Sequence, residues 1–156
     1  MALVLLLLVP LALAGQTLNI ASASAAVNQK VPIAIFVQST PGKQPLILQF
    51  DVTFPAPQLK LDPADLKAAP AVEKLKKTIT CRGGWRKAPQ TYYYRCILAG
   101  GVETISDGAV AMLWFQVPPN AKPGKAPIRL EESEALLPGL KREKLKAAQG
   151  VITITP

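Results

Sequence analysis

At 156 residues, with 49% hydrophobic and 18% charged residues, the chain is long enough for one domain with one core and too apolar to be disordered. A net charge of +8, with lysines gathered at Lys74 to Lys77 and Lys141 to Lys146, suits acidic partners or anionic surfaces, or else solvated faces that keep the chain soluble. The absence of histidine removes the usual general base, the Ser-His-Asp triad and most zinc sites, so the composition argues against an enzyme.

The first apolar run, from Leu3 to Ala14, ends in a small-x-small site at Ala12-Leu13-Ala14 and is too short to span a bilayer as a helix. Residues 1–14 read as a signal peptide and 15–156 as a single exported domain, secreted or held in the periplasm or cell envelope. No Lys or Arg precedes the run, which leaves room for a start further upstream, and no cysteine follows it to carry a lipid. No later segment approaches membrane-spanning length, and nucleic acid is not an expected partner of an exported domain.

Beyond Ala14 the pattern is one of short strands. Leu46, Leu48, Phe50, Val52 and Phe54 alternate with Ile47, Gln49, Asp51 and Thr53, which predicts a strand with one buried face and one mostly wetted face. Similar patterns predict strands at Leu18 to Ala25, Val31 to Gln38, Thr78 to Arg82, Tyr92 to Leu98, Ala109 to Val117, Pro127 to Glu132 and Gly150 to Thr155. The 15 prolines and 10 glycines fall between them, as turns require. About eight or nine strands of this length predict an all-β, antiparallel sandwich.

One stretch departs from this. From Leu61 to Lys77, Asp62 is placed to cap a helical turn that begins at Pro63, and Glu73 with Lys77 is spaced as an i, i+4 pair, so one or two short helical turns are expected. The segment from Leu140 to Ala148 reads equally as helix or as a charged edge strand.

Cys81 and Cys96 are the only cysteines, and export favours a disulfide between them. If they face each other on antiparallel strands, Ile79 opposes Leu98, Gly83 opposes Tyr94, Trp85 opposes Tyr92, and Arg82 opposes Arg95 on the other face. Such a bridge closes a loop of about 15 residues, worth roughly 3 kcal/mol in the chain-entropy picture. Facing arginines repel, so they either splay into solvent or await an acidic partner. Near the hairpin tip, Trp85, Arg86, Lys87, Tyr92, Tyr93 and Tyr94 form a set suited to packing on the sandwich, to protein contact or to stacking on sugar rings.

The stretch from Ile105 to Ile154 orders an Asp107-Gly108 turn, an apolar strand through Leu113, Phe115 and Val117, a turn at Pro123-Gly124, and a closing Gly150, Ile152 and Ile154. This order resembles the C-terminal half of cohesin domains, secreted bacterial β-sandwiches. The alternating strand at Leu48 to Phe54 matches more loosely, because it runs into Phe54-Pro55-Ala56-Pro57 where cohesins carry a tyrosine-aspartate-proline turn. The resemblance implies a jelly-roll sandwich and a non-catalytic recognition module that binds a dockerin through one sheet face, in the setting of polysaccharide degradation, with any calcium belonging to the dockerin. It implies no cofactor and no metal site of the chain's own.

Carried onto this sequence, the partner-binding surface comprises Ile47, Gln49 and Asp51 with Arg82, Tyr93, Arg95 and Ile97. Outward isoleucines at positions 47 and 97 need a cover. The competing reading is a carbohydrate-binding module that stacks sugars on Trp85 and Tyr92, with Tyr93, Tyr94 and Trp114 as further candidates for a planar row. A third is a structural subunit of an envelope assembly.

Overall fold

The computed structural model describes residues 15–85 and 90–156. The signal-peptide reading, with Arg86 and Lys87 of the hairpin tip, lies outside them.

Among the described residues, twelve strands form two facing sheets. The smaller sheet runs β11 (Lys146–Ala147), β1 (Thr17–Ile20), β3 (Lys30–Gln38), β8 (Gly108–Gln116) and β5 (Leu66–Ala68). The larger runs β2 (Ala23–Ala26), β12 (Gly150–Thr155), β9 (Gly124–Leu137), β4 (Ile47–Pro55), β7 (Thr91–Ala99) and β6 (Thr78–Trp85), and β10 (Lys141–Lys144) pairs with the far end of β9. The alternation seen in the sequence meets between the sheets. Phe50, Leu48 and Leu98 from the larger and Phe115, Leu113, Ile33 and Ile35 from the smaller are fully buried there. Each such side chain contributes about 1.5–3 kcal/mol through removal from water.

The expected strand from Leu18 to Ala25 is two strands. The chain changes sheets at Ala21-Ser22, so that β1 lies parallel to β11 in one sheet and β2 parallel to β12 in the other, two parallel pairings in a sandwich expected to be wholly antiparallel. Gly150 stands where this crossing passes. A Cβ there would lie 2.5 Å from the Ala21 carbonyl oxygen, which gives the closing Gly150-x-Ile152-x-Ile154 pattern a steric cause.

Between Leu61 and Lys77 the capped turn forms as read. Asp62 accepts from the Ala64 amide at 2.8 Å ahead of a single 3-10 turn at Pro63–Asp65, and a short helix α1 (Pro70–Glu73) follows. The intervening β5 was not expected; three residues are too few for a period to register. Lys77 does not reach back to Glu73. It turns inward, almost wholly buried, and donates to the Gly100 carbonyl at 2.6 Å.

The strand expected to stop at Glu132 continues to Leu137. Glu132 adopts φ 47°, and the pairing with β4 slips there between Gln49 and Asp51, so a bulge carries the strand from β12 on to β10. The segment after Leu140 is therefore edge strand, and its lysines guard an edge open to pairing.

Candidate functional site

Cross-strand register fixes which residues share the outer face of the larger sheet. Cys81 pairs with Cys96, Arg82 with Arg95, Gly83 with Tyr94 and Trp85 with Tyr92, the hairpin register derived above from the cysteines. The disulfide is formed. On the other side of β7, Arg95 meets Asp51, Ile97 meets Gln49 and Tyr93 meets Thr53. Two bands result, one ionic and one apolar.

In the ionic band, Arg82, Arg95, Asp51 and Glu131 follow one another across four strands. Arg95 lies over Asp51 with two parallel contacts, Nε to Oδ1 at 2.8 Å and Nη2 to Oδ2 at 3.0 Å. These hydrogen bonds and the attached charge hold the guanidinium still more firmly protonated than usual. Asp51 is 0% exposed, so alternation alone misjudged it as wetted: it points outward, but Arg95 covers it. A partner would meet Arg95 and the exposed Arg82 rather than Asp51 itself. The repulsion expected between the arginines is met from within the chain, since Asp51 sits beside one of them. Glu131, at the end of this row, accepts from the Thr53 hydroxyl at 3.1 Å.

One step along the strands the face turns apolar. Ile47, Gln49 and Ile97 are joined by Glu134, Leu136 and Arg142 around a shallow depression of about 230 Å³. Ile97 is 41% exposed. The depression thus gathers three of the residues read from the sequence and adds Glu134, Leu136 and Arg142, with the buried Ala135 beneath them. Glu134, Leu136 and Arg142 depend on the bulge that extends β9, which has no local signature, and on β10, for which edge strand was one of two readings. Arg82 and Tyr93 lie further along the same face, with Tyr93 drawn across Gly84, whose absent Cβ would stand 3.0 Å from the ring.

Trp85 and Tyr92 point to the opposite side, toward one end of the space between the sheets. Their rings meet nearly at right angles, at 88° and 5.0 Å. Tyr94 is buried beside them and donates to the Leu61 carbonyl at 2.9 Å; burial, with Tyr92 and Asp62 nearby, pushes its pKa up. Trp114 belongs to the other sheet, with the Lys67 ammonium 5.8 Å above its ring. The planar aromatic row of the carbohydrate reading is therefore not formed by the described residues. Among them no group of three or more potential metal ligands occurs, and no helix is long and apolar enough to cross a membrane.

No family model matches the sequence, and none of the curated proteins matches it. Solved structures do. A cohesin chain from a type I cohesin–dockerin complex of Clostridium thermocellum superposes with a TM-score of 0.73 over 90% of this chain and 99% of that one, at 18% identity. The third ScaC cohesin of Acetivibrio cellulolyticus, solved with the ScaB dockerin, gives 0.72 over 90% and 99%, also at 18% identity. A non-cellulosomal cohesin from the archaeon Archaeoglobus fulgidus gives 0.66 over 92% and 93%, at 12% identity. The chain has the cohesin fold, as the order of turns and strands in its second half implied.

Proposed function

We propose that the chain is a non-catalytic docking module, exported from the cell, that binds a dockerin-type protein through the outer face of its larger sheet. The observation that carries this is the depression bounded by Ile47, Ile97 and Leu136: aliphatic side chains on the outer face of three adjacent strands, β9, β4 and β7, rimmed by Gln49, Glu134 and Arg142. An apolar centre with a polar rim is the anatomy of a protein interface. The structural neighbours crystallised with dockerins support a protein as the partner. The disulfide supports an oxidising, extracytoplasmic location.

The test is immobilised mature protein exposed to a panel of calcium-loaded dockerins, with and without chelator. Binding that disappears with chelator and weakens about 30-fold or more in Ile97→Asp, at unchanged thermal stability, is expected; a fall of that size equals about 2 kcal/mol and marks a central anchor. Retention of full affinity by Ile97→Asp would move the interface elsewhere.

A further inference from the structure

On the side of the β6–β7 hairpin away from that face, a cleft of about 530 Å³ opens at the end of the sandwich. Its floor is Phe54, Leu59, Leu61 and Tyr94, all buried, and its walls are Tyr92 and Trp85. Trp85 is 68% exposed, although Tyr92 gives its ring an edge-to-face contact and Phe54 packs on Tyr92 in turn at 6.0 Å. Gly83 sets this corner: a Cβ there would lie 2.4 Å from the Tyr92 hydroxyl, so only glycine lets the ring lie across the strand and back the tryptophan. Among the described residues the charges at the mouth balance, Lys30 and Lys60 against Asp62 and Asp65, in a chain that carries a net +8. Lys30 and Asp65 are already paired at 2.7 Å.

We propose that this cleft binds one ring of a neutral saccharide. An aromatic corner offers a face for the C–H side of a pyranose. The surrounding Lys60, Asp62, Gln116 and Tyr92 side chains supply both donors and acceptors for hydroxyl groups. Lining charges that balance among the described residues favour a neutral ring over an anionic polymer, the ligand that net charge alone would suggest. The site takes a single ring of a soluble chain, where a flat aromatic row would take a crystalline surface. It lies on the opposite side of the hairpin from the docking face and does not depend on docking.

The experiment uses soluble β-1,4-linked glucose, mannose and xylose hexasaccharides, with a galacturonate oligomer as the anionic comparison, and reads saturation transfer from protein to sugar by NMR. Transfer to the ring C–H protons of at least one neutral sugar is expected, with affinity at least about tenfold lower in Trp85→Ala and largely kept in Trp85→Phe. Because Trp85 is mostly exposed, neither change threatens folding. Absence of transfer to every neutral sugar, transfer that survives Trp85→Ala, or transfer to the galacturonate alone overturns the proposal. So does a cleft that serves the protein partner instead, seen as weaker dockerin binding by Trp85→Ala with no sugar bound.

Discussion

The two sides of the β6–β7 hairpin are built from alternate residues of the same strands, yet they do different work. Toward the interior, the Cys81–Cys96 disulfide joins the two hairpin strands, and Tyr92 and Tyr94, in edge-to-face contact, pack against the core. Toward solvent, Arg95 is held by Asp51, whereas Arg82 and Ile97 are exposed. Each of these four inner side chains has its partner within the chain; on the outer side only some do, and the exposed remainder is where a protein partner can add contacts. If that division is right, substitutions at those four inner residues lower stability, and outer ones lower binding unless they touch Asp51; Trp85, inner by register but 68% exposed, stands apart as part of the cleft.

The largest effect is expected on the inner side. Replacing both Cys81 and Cys96 with alanine should lower unfolding free energy by about 3 kcal/mol, measured by urea denaturation, because the open chain regains the entropy of a loop of about 15 residues. Partner affinity at a temperature where the variant stays folded should change little, since the sulfurs lie beneath the docking face. A large loss of affinity in a folded variant would break the division. Next comes Arg95→Ala, which strips the cover from a carboxylate that is 0% exposed. A buried carboxylate that loses its guanidinium is destabilised, but Arg95 is itself half exposed and water can enter in its place, so the expected loss is about 2 kcal/mol. Replacing Asp51 and Arg95 together with leucine and methionine should restore most of it; failure to do so would mean that the pair sets the local geometry as well as its charge balance.

How far the sequence foretold this division depends on the scale of the feature. Two cysteines and an assumed antiparallel pairing were enough to give the hairpin its register, and register then places every hairpin residue on one side or the other. The burial of Asp51 was not legible in the same way. Alternation reports where a side chain points, not what a neighbouring strand lays over it, and Arg95 is 44 residues away along the chain. Leu136 and Arg142 were hidden for another reason. The polar run Glu131-Glu132-Ser133-Glu134 looks like a strand end, while Glu132 absorbs a bulge and the strand continues with its sides reset. The cleft aromatics Trp85 and Tyr92 were visible as residue types, but their perpendicular setting depends on Gly83 and on packing against Phe54.

Arg82→Ala sharpens the outer side with a smaller effect. Its guanidinium is exposed and faces a like charge, so its removal should leave stability unchanged or raise it by a few tenths of a kcal/mol. Against an acidic partner the association rate should fall about threefold at low salt and converge with the native rate as salt rises, the mark of steering rather than anchoring. An equal loss at all salt concentrations would instead make Arg82 a direct contact.

The smallest effect lies at the hairpin base, where the two sides meet. Lys77 immediately precedes β6 and Gly100 immediately follows β7, and the bond from Nζ to the Gly100 carbonyl ties the two ends together. Burial lowers the lysine pKa from its ordinary value of 10.5, and Glu103 partly opposes the shift. Below the lowered value both folded and unfolded chains carry the charge, and the folded one bears its full desolvation. As pH rises from the lowered value toward 10.5, the folded lysine sheds its proton while the unfolded lysine keeps it, so stability gains over this window. The neutral amine can still donate to Gly100. Denaturation of the native protein and Lys77→Met at several pH values should therefore show a difference that moves in favour of the native protein with rising pH. Glu103→Gln, which removes the opposing charge, should start that rise at lower pH. A difference that stays flat would show that Lys77 remains solvated and that the hairpin base opens in solution.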